Sequence, residues 1–336
     1  MKRSLLAALI VIGAGYGASA AENAGRAISV SVEHVPLKSS DPADMRAGKL
    51  IFRDGVVLRS DEPTFGGISS LAISADGVRF LAITDEGSWL TGRIAYDGNG
   101  RIAALDDVCI APMLGEDGKP LDGKAEADAE SLAIISGETD DGIVAVGFER
   151  DPRIWGYRLG ETGFASKPLP APTPDDLKAA PNNGGLEALA SLDARHLLLL
   201  TEDYLDEAGN SAGWISQPAN MQDVQYDQFA LKRIPPFAPT DARLMPDGDI
   251  LVLERSYTPI GGPGMQLRRI ARADLKAGAT VDAETLAQLG AGYSIDNMEG
   301  LAVRAGEDGE TLIYVISDDN FNPLQRTILL LFALEP

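Results

Sequence analysis

The chain has 336 residues, 45% of them apolar, and a formal charge of −21 at neutral pH. That apolar share can fill a large core, whereas the acidic surplus excludes nucleic acid as a direct partner and favours divalent cations or cationic ligands. A single cysteine, Cys109, and two histidines, His34 and His196, exclude an internal disulfide and a His-rich zinc site.

Met1-Lys2-Arg3, an apolar stretch from Leu5 to about Gly15 and Ala18-Ser19-Ala20 form a basic start, a hydrophobic segment too short to span a bilayer and a small-residue cleavage site. Residues 1–20 are expected to be a cleaved signal peptide, and 21–336 a single β-propeller domain that is periplasmic or secreted. Loss of Lys2 and Arg3 with the leader takes the charge to −23. A lone Lys-Arg pair is a poor twin-arginine signal, so the general secretory route is expected. No later stretch is long and apolar enough for a transmembrane helix.

Two strand-like runs, 28–32 and 50–58, precede a repeated unit. In its clearest copy an acid opens a short apolar run, a turn follows, and a second apolar run ends in an acid: Asp296-Asn-Met-Glu299-Gly-Leu-Ala-Val, then Leu312-Ile-Tyr-Val-Ile-Ser-Asp318-Asp319-Asn320. The same unit carries Glu130 with Glu149, Glu187 with Glu202 and Asp203, and Asp241 with Glu254. In the first copy Ser69 replaces the leading acid, and the second run ends at Asp85 and Glu86. Taking Ser69, Glu130, Glu187, Asp241 and Glu299 as equivalent, the spacings are 61, 57, 54 and 58 residues. Each interval holds about four strand-like runs, the pattern of an all-β propeller. Five repeats are counted, five or six blades are allowed, and the N-terminal runs should close a blade with the last run, 327–334.

Between the repeats, Cys109 falls in an apolar strand and reads as a buried, inert thiol. The Pro-rich stretch 167–181 reads as a surface loop, and 175–180 and 282–289 read as short peripheral helices. Gly209-Asn-Ser211-Ala-Gly213 formally matches a nucleophile elbow but sits in a polar loop, and Gly261-Gly-Pro-Gly264 reads as a hairpin loop.

In a propeller the start of the innermost strand and the end of the second fall on one face of the disc. That would gather Glu130, Glu187, Asp241 and Glu299, with Asp85, Glu149, Glu202, Asp203, Glu254, Asp318 and Asp319 around them. Crowded carboxylates are relieved by protonation or by a cation, and oxygen donors without imidazole or thiolate suit Ca²⁺ best, with Mg²⁺ or Mn²⁺ behind. Glu130, Glu187 and Glu299 are the candidate metal ligands, and Asp85, Asp203 and Asp318 the candidate catalytic carboxylates. Arg150, Arg255 and Arg326 could hold an anionic oxygen of the substrate, and Asn182, Asn183, Asn297 and Asn320 could add neutral oxygens. The competing interpretation gives these acids ordinary turn and strand-end hydrogen bonds, and gives the arginines the neighbouring carboxylates as partners.

Glu130-Ser-Leu-Ala, Asp296-Asn-Met-Glu-Gly-Leu-Ala and above all Ser317-Asp-Asp-Asn-Phe-Asn-Pro-Leu-Gln-Arg-Thr-Ile-Leu-Leu-Leu-Phe resemble the bacterial family called esterase-like activity of phytase. The resemblance covers nearly all of the expected mature chain. It implies an exported propeller with hydrolytic activity on phosphate or carboxylic esters, and no catalytic residue is carried over from it. The leading expectation is a Ca²⁺-dependent hydrolase of a small-molecule ester or phosphoester. The alternatives are a non-catalytic propeller that binds a ligand or envelope partner around a structural metal, and a lactonase-like enzyme with a central Ca²⁺.

Overall fold

The computed structural model describes residues 25–220 and 223–335; the expected leader at 1–20 lies outside the described residues. Five sheets, antiparallel except for a short parallel pairing of Thr280–Val281 at the outer edge of blade three, form the blades of a five-bladed β-propeller. Their innermost strands are Ile68–Ile73, Ala129–Ser136, Leu186–Ser191, Ala238–Leu244 and Asn297–Ala305, in blades one to five. Each pairs with a second strand, respectively Arg79–Thr84, Ile143–Phe148, Leu197–Leu205, Ile250–Thr258 and Thr311–Asp318.

The apolar runs are continuous because every blade is buried on both faces. Residues alternate across each strand, so Leu132 packs toward blade one and Ala133 toward blade three. Likewise Ile250 and Val252 face blade three, and Leu251 and Leu253 face blade five. The result is five apolar cores, one in each seam between blades.

The fifth blade joins both ends of the chain. Thr327–Leu334 pairs antiparallel with Leu50–Arg59, from Thr327 opposite Leu58 to Leu334 opposite Leu50, and Ser31–His34 adds an outer strand. This is the expected closure, and it leaves the ring without an open seam.

One expectation of local secondary structure fails. The stretch 282–289 was expected to be helical, but Glu284–Leu289 is the outermost strand of blade four, with Met265 opposite Leu289 and Leu267 opposite Ala287. Pairing with the open edge of Gly262–Ile270 buries Leu286, Ala287 and Leu289, and this tertiary gain overrides the local helical preference of Ala, Glu and Leu. The other helical stretch is a 3₁₀ turn, Asp175–Ala179, and the Pro-rich stretch carries only the three-residue strand Leu169–Ala171. Ser211 begins a strand with its hydroxyl donating to the Glu202 carbonyl, so no nucleophile elbow forms there. Cys109 lies in the strand Ile102–Pro112, partly buried, and burial pushes its thiol pKa up.

Within the channel a polar knot ties the inner strands together. Asp241 is fully buried and accepts hydrogen bonds from Ser70 Oγ at 3.0 Å and Leu301 N at 2.9 Å. Arg243 pairs with Asp241 and donates to the Leu189 carbonyl at 3.1 Å and the Leu71 carbonyl at 2.9 Å. Blades one, three, four and five meet in this one network.

Candidate functional site

All five inner strands carry a register shift at the same place, near the mouth of the channel. The residue left opposite no partner is Ser69, Glu130, Glu187, Thr240 and Glu299 in blades one to five. A β-bulge leaves its extra residue outside the ladder and re-aims the side chain. In three blades that residue is a glutamate. In blade one Ser69 Oγ donates to the Ala129 carbonyl of blade two at 2.6 Å, and in blade four Thr240 Oγ1 contacts the Met298 carbonyl of blade five at 3.4 Å. The bulge thus sews adjacent blades where it carries a hydroxyl.

This register corrects the alignment of blade four by one residue. Asp241 is opposite Leu253, past the bulge, so it belongs to the channel knot rather than the rim. Glu254 is opposite Pro239 and forms a buried ion pair with Arg268 at 2.9 Å, away from the mouth. The second-strand positions that face the mouth are therefore Asp85, Glu149, Glu202, Arg255 and Asp318. Blade four supplies Thr240 where three other blades supply a glutamate, and Arg255 where all four others supply an acid.

The structure gathers Asp85, Glu130, Glu149, Glu187, Glu202, Glu299 and Asp318 with one member that sequence reasoning missed, Asp128. It stands two residues before Glu130 and is buried. Carboxylate oxygens of Asp128, Glu130 and Glu149 lie within 4.8 Å of one another, as do those of Glu149, Glu187 and Glu202. Glu149 belongs to both groups. Its Oε1 accepts from the Gly184 and Gly185 amides, the latter at 3.2 Å, and its carboxyl is hydrogen-bonded to that of Glu187.

Two cations enter the cluster. Arg255 bridges blades, with Nη2 at 3.3 Å from Glu202 and Nε at 3.2 Å from Glu299. Lys124, on the short helix Lys124–Ala127, donates to Asp85 at 2.6 Å and Asp128 at 2.7 Å. Asn297 donates to Glu299 at 2.7 Å. Eight carboxyl groups thus share three cations, Arg255, Lys124 and, from the edge, Arg150. Desolvation, and then mutual repulsion, push Glu130 and Glu187 well above the usual carboxylate range. Desolvation raises Glu299 to about 7 despite Arg255, and raises Asp318 to about 8 with help from Glu299. Asp85, Glu149 and Glu202 are also raised, each chiefly by burial.

Three of the sequence candidates stand outside this buried group. Asp203 is half exposed and paired with Arg233 at 2.6 Å. Arg150 reaches in only from the edge, with Nε at 3.1 Å from Asp128, and Arg326 lies at 3.7 Å from Asp296 beside a neighbouring cleft. Asp319 accepts from the Gly67, Phe321 and Thr327 groups and fixes a loop.

The donor set fits a hard divalent cation. It is made of carboxylates, while His34 and His196 pair elsewhere with Asp54 and Asp193. Oδ1 of Asp85 is buried without a hydrogen-bond partner, which an ion would supply.

Among solved structures the chain is similar to the RRP9 WD40 repeats, at 11% identity and a TM-score of 0.40, covering 90% of this chain and 100% of that one. It is also similar to the Cps50 (Swd1) β-propeller domain of Myceliophteria thermophila, at 10% identity and a TM-score of 0.40, covering 90% and 99%. No curated protein matches it. The family model described as phytase-like, esterase-like activity of phytase, matches residues 63–321, and the chain belongs to that family.

Proposed function

We propose that the protein is an exported, Ca²⁺-dependent hydrolase that cleaves a small-molecule ester or phosphoester at the acidic mouth of the propeller. The observation that carries this reading is the surplus of buried carboxyl groups over cations, arranged in two oxygen groups that share Glu149. Asp128, Glu130, Glu149, Glu187 and Glu202, with Asp85 through its unpartnered Oδ1, are the residues that would hold the ion. When bound, such an ion polarises an ester oxygen and lowers the pKa of a water.

The remaining residues fall into acid–base and binding roles. Glu299, raised to about 7, is near half-ionised at neutral pH and can take a proton from an attacking water. Asp318, raised by burial and by the neighbouring Glu299, is placed to hold a proton and give it to the departing alkoxide. Two interacting carboxyl groups with raised pKa values within one charged cluster can supply both halves of a hydrolysis, the ionised one taking a proton and the protonated one giving it. Arg255 presents a guanidinium beside Glu299, placed to donate to an anionic oxygen of the substrate.

The test is calorimetric titration of Ca²⁺ into chelator-treated protein, with phosphoester and carboxylic ester turnover recorded on the same samples. Binding with turnover that appears only with metal supports the reading. Binding without turnover transfers the protein to the class of non-catalytic propellers with a structural ion. Unchanged turnover in a folded Glu299→Gln variant removes Glu299 from the chemistry.

A further inference from the structure

Beside the acid cluster, between blades four and five, lies a cleft of about 1020 Å³. Its floor is polar and continuous with the mouth, since Arg255 and Glu299 belong to both and Asn297 lies next to them. Apolar side chains stand on two sides of it, among polar ones such as Asn322, Gln325 and Arg326. Tyr257 stands on one side, two residues beyond Arg255 on the same strand, and Leu324 on the other, on the loop that follows Asp318.

Among the described residues the three most exposed large apolar side chains are Ile260 at 102%, Leu324 at 89% and Tyr257 at 70%. Two line this cleft, and Ile260 is at the tip of the hairpin that carries Tyr257. Single exposed apolar residues need no explanation, but this concentration around one concave site does.

The Leu324 wall is held in place. Asn320 and Phe321 both have φ of 49°, a conformation that non-glycine residues adopt at a cost, and it is secured by Asn320 N donating to Asp318 at 2.7 Å and Phe321 N donating to Asp319 at 3.1 Å. Leu324 N donates to Asn322 Oδ1 at 3.0 Å, and Arg326 N to Asp296 at 3.2 Å. A loop tied at both ends that displays a leucine to water is preorganised for an apolar ligand.

We propose that this cleft is the specificity subsite of the mouth and takes the apolar moiety, an aryl ring or short alkyl chain, of an ester whose polar head lies over Arg255 and Glu299. The volume suits a small molecule, and a polar floor with apolar side chains on two sides suits an amphiphilic one. The assignment rests on the mouth being the reacting centre, so its test reads binding separately from turnover.

Phenylphosphonate and methylphosphonate share a head group and resist hydrolysis. Titrated calorimetrically into the full mature chain in calcium buffer, phenylphosphonate should bind at least about tenfold tighter. The double substitution Tyr257→Ser with Leu324→Ser should erase that preference and leave methylphosphonate affinity unchanged. Equal affinity of the two probes, no binding of either, or a preference that survives the double substitution overturns the proposal. Sedimentation with phosphatidylglycerol vesicles that depends on Ile260 and Leu324 would overturn it too, by giving these side chains to a lipid surface. Aryl preference without turnover of 4-nitrophenyl esters sinks the hydrolase reading alone; turnover without aryl preference sinks the cleft alone.

Discussion

Glu149 is the carboxylate on which most depends, because both three-acid groups include it and two backbone amides fix its orientation. Glu149→Gln keeps the shape and removes the charge, so Ca²⁺ affinity measured by calorimetry should fall at least about tenfold. Asp203→Asn is the matched control. Its side chain is half exposed and answered by Arg233, and Ca²⁺ affinity should not change. Arg255 works in the opposite sense. It is the one positive residue at the five equivalent strand-end positions and repels a cation there. At pH 9, where Glu299 and Asp318 are ionised, Arg255→Leu should bind Ca²⁺ about tenfold more tightly and methylphosphonate about tenfold more weakly. A loss of Ca²⁺ affinity in that variant would mean that the arginine organises the acids rather than opposing the ion.

At the scale of the strand, the bulge turns a repeat in sequence into a ring of side chains. Glu130, Glu187 and Glu299 were legible because each stands just before an apolar run, and their equivalence survives in the structure. Blade four was misaligned by one residue because Thr240 is followed by an acid and Arg255 is preceded by one. Without knowledge of the bulge, Asp241 and Glu254 fit the pattern as well as their neighbours do. Asp128 carried only a weak signal, an acid two places ahead of Glu130, and the cleft carried none, since its walls come from two blades. The helical reading of 282–289 failed for a related reason: the edge that recruits Glu284–Leu289 is invisible in local sequence. Gly184 tests how far the loop before the bulge controls the site. Its φ of 149° suits glycine, an added Cβ would stand 2.6 Å from Asp203 Cβ, and its amide donates to Glu149. Gly184→Ala should cost about 2 kcal/mol in urea unfolding and weaken Ca²⁺ binding through the displaced Glu149.

At the scale of the whole molecule, five apolar seams and the pairing of Thr327–Leu334 with Leu50–Arg59 hold the ring against the repulsion gathered at its centre. That opposition should be visible in the pH dependence of stability. Asp241, Glu299 and Asp318 have folded pKa values of about 7, about 7 and about 8, all above those of the same groups in the unfolded chain. Between pH 4 and those values the folded state keeps protons that the unfolded chain has already released, so stability falls as the pH rises. The contribution of these groups is greatest below the unfolded carboxylate values and declines through pH 7 and 8. The acids of this mouth therefore oppose the common pattern in which ion-paired carboxylates stabilise a protein as they ionise. In chelator, the thermal midpoint should drop by about 5 °C or more between pH 5 and pH 8.5. Saturating Ca²⁺ binds the deprotonated mouth of the folded state and should flatten or reverse that slope, with the largest gain at the alkaline end. In a Glu299→Gln, Asp318→Asn double variant the chelator curve should lose part of its slope, leaving the contributions of Asp241 and of the other raised carboxyl groups, Glu130 and Glu187 foremost. A chelator midpoint that rises with pH in the unaltered protein would show that the mouth is ionised and paired, and that a cation is not what it lacks.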